Sequence, residues 1–318
     1  MSPDAPHNSA GETCAIGVDV GGTKIAAGIV CFPSGKILHK ETIPTRPARG
    51  GEAVLADCIS LVQRLKAQAD NRGQHVEGIG VGIAELVNLE GEITSDYLIR
   101  WRGLPAKEQL SQISPTQFES DARAPALAEA LFGAGRRFTN FVFLTIGTGI
   151  SYCLVLDGHP YAGAHGHAIM VASGALTSVC EKCGAVQDQV LEEFAAGPSL
   201  VARYNQRTSA QVKSGEAVTT AAKSDDIIAQ EIVHSAGTAL GNSVGFLINV
   251  LDPQAVVVGG GLGLADGLYW DSFVTSTRKH IWSDLSRNLP ILHAELGADA
   301  GLIGAAATIW KERSNDRR

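Results

Sequence analysis

No apolar run in the 318-residue chain reaches the roughly 18 to 20 residues that span a bilayer. The first residues, MSPDAPHNSAGET, lack the apolar core of a signal peptide; they are polar and contain Pro and Gly. Residues 1–14 read as a short disordered leader, and a cytoplasmic protein without a membrane partner is expected. A basic run is missing as well. Lys plus Arg number 26 against 33 Asp plus Glu, a net charge of −7, which argues against nucleic acid as a partner. The acidic balance leaves an anionic small ligand open, because a local site can be positive on an acidic protein. Hydrophobic residues make up 45% of the chain and charged residues 19%, and the length suits two globular domains. The cysteines stand at 14, 31, 58, 153, 180 and 183, most of them in apolar runs where reduced, buried thiols are expected. Only Cys180 and Cys183 form a C-x-x-C pair.

Two common nucleotide motifs are also missing. GVDVGGTKIAAGIV, residues 17–30, joins two apolar strand-like runs through a tight Gly-Gly-Thr-Lys turn. It is neither the G-x-G-x-x-G of dinucleotide sites nor the G-x-x-x-x-G-K-[ST] of P-loops. Yet it carries an acid, Asp19, in its first strand.

Strands are predicted at Ala15–Val20, Lys24–Cys31 and Lys36–Thr42, with a turn at Pro33-Ser34-Gly35. A helix follows over 52–69, with Val54, Leu55, Cys58, Leu61, Val62 and Leu65 on one face. Val76–Ile83 reads as a strand and Asp121–Gly135 as a helix. NFVFLTIGTGISYCLVLDGHPY, residues 140–161, then repeats the opening device: strand, Gly-hydroxyl-Gly turn, strand, Asp-Gly turn. This weak internal repeat predicts two similar α/β halves facing one another. Val190–Tyr204 and Asp226–Leu251 read as helices, the second stopped by Asp252-Pro253. Ala255–Val258 is a strand running into Gly259-Gly260-Gly261. A last helix, 300–313, follows a third Gly-containing segment, GADAGLIG. The succession is an α/β architecture.

Two glycine turns, each with a threonine, make sense as a pair of phosphate clamps. Glycine lets backbone N–H groups approach an anion without a Cβ in the way. Gly21, Gly22, Thr23 and Lys24 form one candidate clamp, and Gly147, Thr148 and Gly149 the other. Asp19 is positioned to hold Mg²⁺, which prefers carboxylate and water oxygens. Gly260 and Gly261 suit an adenine-ribose passing close to the backbone.

IGVDVGGTKIAAGIV, LTIGTGISYCLVLDG, VVVGGGLG and GLIGAAA together resemble the ROK family of sugar kinases and sugar-responsive repressors, within the actin-like/hexokinase ATPase superfamily. The resemblance implies two actin-like (ribonuclease H-like) α/β domains, with ATP and the acceptor in the cleft between them. It places a small N-terminal domain at 15–120 plus 300–318, with a returning C-terminal helix, and a large domain at 121–299. ATP and Mg²⁺ are the implied cofactors, and a homodimer is the expected assembly.

The family's general base lies in a stretch resembling E-N-D-A-N, which here reads Glu119-Ser120-Asp121-Ala122-Arg123. Asp121 takes the catalytic place at a helix start, where the macrodipole favours a carboxylate. An attacking hydroxyl must lose its proton, and a nearby carboxylate can accept it.

The acceptor side departs from the family. Ser120 replaces an Asn that contacts a sugar hydroxyl, Tyr97 stands where another sugar-binding Asn is usual, and a Gly-Pro-Gly turn becomes Gly82-Ile83-Ala84-Glu85. In GAHGHAIMVASGALTSVCEKCG, residues 163–184, two alignments compete. Anchoring on Gly166-His167 replaces the sugar-binding Glu by Ala164. Anchoring on Gly163-Ala164-His165-Gly166 needs fewer gaps and puts Met170 and Ser173 in place of the Glu and His. Glu192, in Val190-Leu191-Glu192, remains a candidate acceptor ligand, and with Glu85 a candidate partner for an ammonium.

The family's structural zinc uses one His and three Cys, of which only Cys180 and Cys183 survive. Zinc wants four ligands. A set with His165 or His167 and Asp188 can be assembled on paper, but with the partners missing zinc is expected to be absent.

The resemblance implies a kinase acting on a primary hydroxyl. The altered segments look most like kinases of secondary-metabolite (antibiotic) pathways, acting on an aminohexose such as kanosamine or on a C7 cyclitol. An ordinary glucokinase is the alternative. A repressor is not expected, because its DNA-binding domain would precede the first strand. An inactive sugar- or nucleotide-sensing protein is not expected either, because Asp121 is retained.

Overall fold

The computed structural model describes residues 13–179 and 181–316. The opening motif folds as read. Strands β1 (Thr13–Val20) and β2 (Lys24–Phe32) are apolar on both faces and pair antiparallel around the Gly21–Thr23 turn. Strand β3 (Lys36–Pro44) pairs with β2 at the sheet edge, where its side chains are only partly covered. Helix α1 (Gly51–Asn71) buries the face predicted from its spacing. Strand β4 (Val76–Ile83) is buried along its whole length, as suits a central parallel strand. Helix α2 (Ala106–Ser111) leads into β5 (Thr116–Ser120), and helix α3 (Arg123–Phe132) follows.

The device then recurs as β6 (Phe141–Ile146), β7 (Ile150–Leu156) and the short β8 (His159–Pro160). Strands β9 (Ala175–Val179) and β10 (Val186–Val190) form a separate hairpin. The helix expected over Val190–Tyr204 is two helices, α4 (Leu191–Ala195) and α5 (Gly197–Arg207). The break falls at Ala196, before Gly197-Pro198, because proline is tolerated in a first helical turn but not in a helix interior. Helices α6 (Gly215–Lys223) and α7 (Ile227–Leu251) are capped by Ser214 and Asp226, whose side chains accept from the N–H groups of Ala217 and Ala229. The chain ends through β11 (Val256–Gly259), α8 (Leu268–His280), α9 (Asp284–Arg287), β12 (Ile291–His293) and α10 (Ala300–Asp316).

The strands form two five-stranded sheets, ordered β3-β2-β1-β4-β5 and β8-β7-β6-β11-β12. In each, an antiparallel meander of three is followed by two parallel strands, so the sheets are topological copies. This is the mixed α/β, actin-like architecture. The chain divides into two compact units. One runs up to Phe132 and adds Ala162–His167 and the chain from Asp299; the other comprises Gly133–Tyr161 and Ala168–Ala298. The division falls after Phe132, not Ser120, because α3 packs on α10 within the first unit. There, a Cβ on Gly304 would lie 1.7 Å from the Ala124 carbonyl oxygen, and one on Gly80 1.7 Å from that of Ala305. Helix α10 is thus seated directly on backbone, sheet on one side and α3 on the other.

Two further expectations change. Thr13 and Cys14, assigned to the leader, begin β1, while residues 1–12 lie outside the described residues. Cys14 and Cys31 are joined in a disulfide rather than reduced; they stand directly opposite each other in the antiparallel β1–β2 register. Cys58 and Cys153 are buried, as expected. Among the described residues no helix is long and apolar enough to cross a membrane.

Candidate active site

In the first unit the C-terminal ends of three parallel strands lie side by side. Val20 of β1 is opposite Ile83 of β4, which is opposite Ser120 of β5. The segments that leave this row carry Asp19 to Lys24, Ala84 and Glu85, and Asp121. The row is tied together by the backbone: Ala84 N–H donates to Val20 O (3.1 Å) and Asp121 N–H to Ile83 O (3.0 Å). Ligands of α/β proteins bind beyond such carboxyl ends of strands.

The Gly21–Lys24 turn is held from outside by Thr45, a residue the sequence reading passed over. Thr45 is fully buried, its hydroxyl donates to Gly21 O (2.6 Å), and its N–H donates to Thr23 O (3.0 Å). Thr23 and Lys24 themselves are exposed. Asp19 behind them is partly buried, and burial pushes its carboxyl up to about 6 despite the opposing pull of Lys24 and Lys40. Lys40 is itself ion-paired to Asp299, just ahead of α10. Such a carboxylate, half desolvated and facing the N-terminal turn of a helix, has the donor chemistry to hold Mg²⁺.

Asp121 precedes α3 by two residues and is partly buried. Ser120 is fully buried, and its hydroxyl oxygen accepts from the N–H groups of Ala122 (3.3 Å) and Arg123 (3.2 Å). It therefore caps the start of α3 instead of facing an acceptor. Glu85 is likewise used internally. Its carboxylate accepts from the Ser95 hydroxyl and from the backbone N–H groups of Tyr97 (3.0 Å), Leu98 (2.6 Å) and Ile99 (2.8 Å). Burial opposes its charge, but these hydrogen bonds outweigh burial and hold the carboxyl below its ordinary value. The expectation that Glu85 meets an ammonium is corrected on this ground: its lone pairs are taken by the Ser95 hydroxyl and the 97–99 backbone N–H groups. Tyr97 shares only its N–H with this loop, and its side chain is 90% exposed.

The second unit builds a matching set of turns. Gly147 N–H donates to Gly149 O (2.9 Å), and Leu262 and Gly263 N–H donate to Ile146 O (3.0 and 3.1 Å). The Gly147–Gly149 and Gly260–Gly261 turns are therefore neighbours, with Thr148 exposed. Gly260 has φ +82°, and a Cβ there would lie 2.4 Å from Ile146 O. Glu192, the candidate acceptor ligand, braces the first turn: its Oε2 accepts from Ile150 N–H at 2.7 Å.

Of the zinc candidates, Cys180 lies outside the described residues, Cys183 is exposed, and Asp188 accepts from the Thr177 hydroxyl (2.9 Å). Among the described residues no group of three or more His, Cys, Asp and Glu side chains is arranged to hold a metal ion. The reading also missed Arg123. It is 3% exposed, in the first turn of α3, and stands where the E-N-D-A-N pattern ends in Asn. That exchange of a short amide for a guanidinium was the available signal.

A twice-built actin-like sheet with glycine-threonine turns, and an acid at the end of a parallel strand, define a sugar kinase using ATP. Known proteins agree. The ROK family profile matches residues 15–313, and the chain belongs to that family. It is 31% identical to a glucokinase of Streptomyces coelicolor, over 92% of this chain and 96% of that one. To the N-acetylmannosamine kinase of Escherichia coli it is 29% identical, over 94% and 99%. A solved ROK glucokinase from Streptomyces griseus, in complex with glucose and AMPPNP, has a TM-score of 0.78 and 29% identity, covering 94% of this chain and 99% of that chain.

Proposed function

We propose that this kinase transfers the γ-phosphoryl group of ATP to the exocyclic primary hydroxyl of an aminohexose or a C7 cyclitol. Asp121 is the general base that takes the hydroxyl proton during transfer. The Gly21–Lys24 and Gly147–Gly149 turns offer backbone N–H groups and the Thr23 and Thr148 hydroxyls to the phosphates, and Gly260 and Gly261 receive the nucleoside. Asp19 holds Mg²⁺, which when bound supplies neutralisation of phosphate charge.

The reading of the acceptor rests on the use of Ser120. Where the family offers an amide to a sugar hydroxyl, this chain has a hydroxyl already engaged by Ala122 and Arg123 N–H. A site that gives up such a partner loses the selectivity that partner conferred. The relatives act, by their names, on glucose and on N-acetylmannosamine, so acceptors differ among close members. The glucokinase relatives favour a second reading, plain glucose phosphorylation. A coupled ADP-release screen over glucose, glucosamine, kanosamine and a valiolone-type cyclitol separates the two. The expected result is a higher kcat/KM for an aminosugar or cyclitol. Glucose as the best substrate of the panel would make the protein a glucokinase and end the first reading.

A further inference from the structure

We infer that Arg123 is a positioning residue that fixes the Ala162–His167 segment as one wall of the acceptor site; this rests on the kinase reading above. In chain order that segment is flanked on both sides by residues of the second unit, yet it belongs to the first. Something in the first unit must hold it, and the buried guanidinium does. Nη1 of Arg123 donates to Gly166 O. Nη2 donates to Val87 O (2.9 Å), on the segment that leaves β4. Nε reaches Glu119 Oε1 at 2.6 Å, and Nη2 pairs with the same oxygen at 2.5 Å. One side chain thereby joins β5, the exit of β4 and the inserted segment.

The packing beneath the clamp leaves little slack. Gly166 has φ +79°, and a Cβ there would lie 2.2 Å from Val87 O and 2.8 Å from Asn88 Cα. Beyond it, His167 Nε2 and the Thr94 hydroxyl are 3.1 Å apart. A cavity of about 340 Å³ opens here, with Asn88, Glu90, Thr94, His165 and His167 among its walls. Arg123 lies two residues after Asp121, on the helix whose start sets the base. The same short stretch of chain therefore places the proton acceptor and, through Arg123, the wall. The charge is matched by Glu119, so the guanidinium is buried as a neutral pair with its donors directed at fixed carbonyls. A lysine in its place would keep the charge but not the fork.

The test is Arg123→Lys, with Glu119→Gln as the milder variant, assayed with the two best acceptors from the panel of glucose, glucosamine, kanosamine and a valiolone-type cyclitol. Backbone amide exchange is followed in parallel by mass spectrometry without substrate. The expected result is a KM for the better acceptor raised about tenfold or more, an ATP KM within about twofold, and faster exchange confined to peptides covering 162–167 and 87–88. Acceptor and ATP KM moving together, or unchanged exchange over 162–167, would overturn the inference. If the wild-type enzyme phosphorylates no acceptor, the kinase reading fails, while the exchange experiment still decides whether Arg123 holds the segment.

Discussion

The carboxylate of Asp19 rests against the α-carbon of Gly301: a Cβ built there would lie 2.7 Å from Oδ2 and 2.8 Å from Cγ. Gly301 is the second residue of α10, so the last helix of the chain floors the acid on the first strand. Any side chain at 301 must push Asp19 away. Gly301→Ala is expected to keep the fold and lower kcat by about 10- to 100-fold, the scale on which small misplacements act. Steady-state kinetics alongside a melting curve checks this. Unchanged kcat with an unchanged melt would show that the position of Asp19 is not critical.

The same acid costs the empty protein stability. Its carboxyl sits at about 6, above the unfolded value of 3.8, so the folded state favours the protonated form. That contribution is complete below about pH 3.8 and is lost as pH rises through 6. At pH 7.5 wild-type Asp19 is charged and partly desolvated. Asp19→Asn should therefore stabilise the nucleotide-free enzyme by about 1–3 kcal/mol at pH 7.5. The gain should shrink toward zero near pH 4, and turnover should be lost. Urea denaturation at both pH values measures it. An equal gain at the two would assign the effect to packing instead of charge.

Much of this fold was legible in the sequence because its elements are governed by local rules. The period of α1, the apolar strands around Gly21–Thr23 and the repeat at 140–161 each encode their own geometry. What stayed hidden depends on partners distant in the chain. Glu85 looks like an available acid until residues 95–99 fold over it. Glu192 looks like an uncommitted acceptor ligand until Ile150 N–H meets it. Ser120 looks like a substrate ligand, yet caps its own helix. The sequence shows which groups are polar; the tertiary fold decides which of them are already spent.

Neighbouring glycines in the second unit separate folding from binding. Gly260 needs its positive φ and has the Ile146 backbone against it, whereas a Cβ on Gly261 meets nothing within 4 Å. Gly260→Ala should destabilise by about 2–4 kcal/mol through overpacking and backbone strain. Gly261→Ala should leave stability within about 0.5 kcal/mol, as at an open surface position. If the backbone at 261 lies against the nucleoside, that variant should still weaken ATP binding severalfold by calorimetry. Unaltered ATP affinity in Gly261→Ala would remove Gly261 from the nucleotide site.

Asp121 offers the most direct test of the chemistry, because its backbone and side chain can be separated. Its N–H is anchored to Ile83 O, and the turn after it is capped by the Ser120 hydroxyl. Replacing the carboxylate by an amide of the same shape should leave the strand row, α3 and the Arg123 clamp in place. What it removes is the capacity to accept a proton. A general base contributes about 10²- to 10⁴-fold, so Asp121→Asn should lose at least about 10² in kcat. Its ATP dissociation constant and melting temperature should stay close to wild type. The pairing of lost turnover with retained nucleotide binding carries the assignment. A variant turning over within about tenfold of wild type would show that the hydroxyl surrenders its proton without Asp121. Loss of ATP binding together with activity would make the residue structural, and the base would have to be sought elsewhere along the Val20–Ile83–Ser120 row.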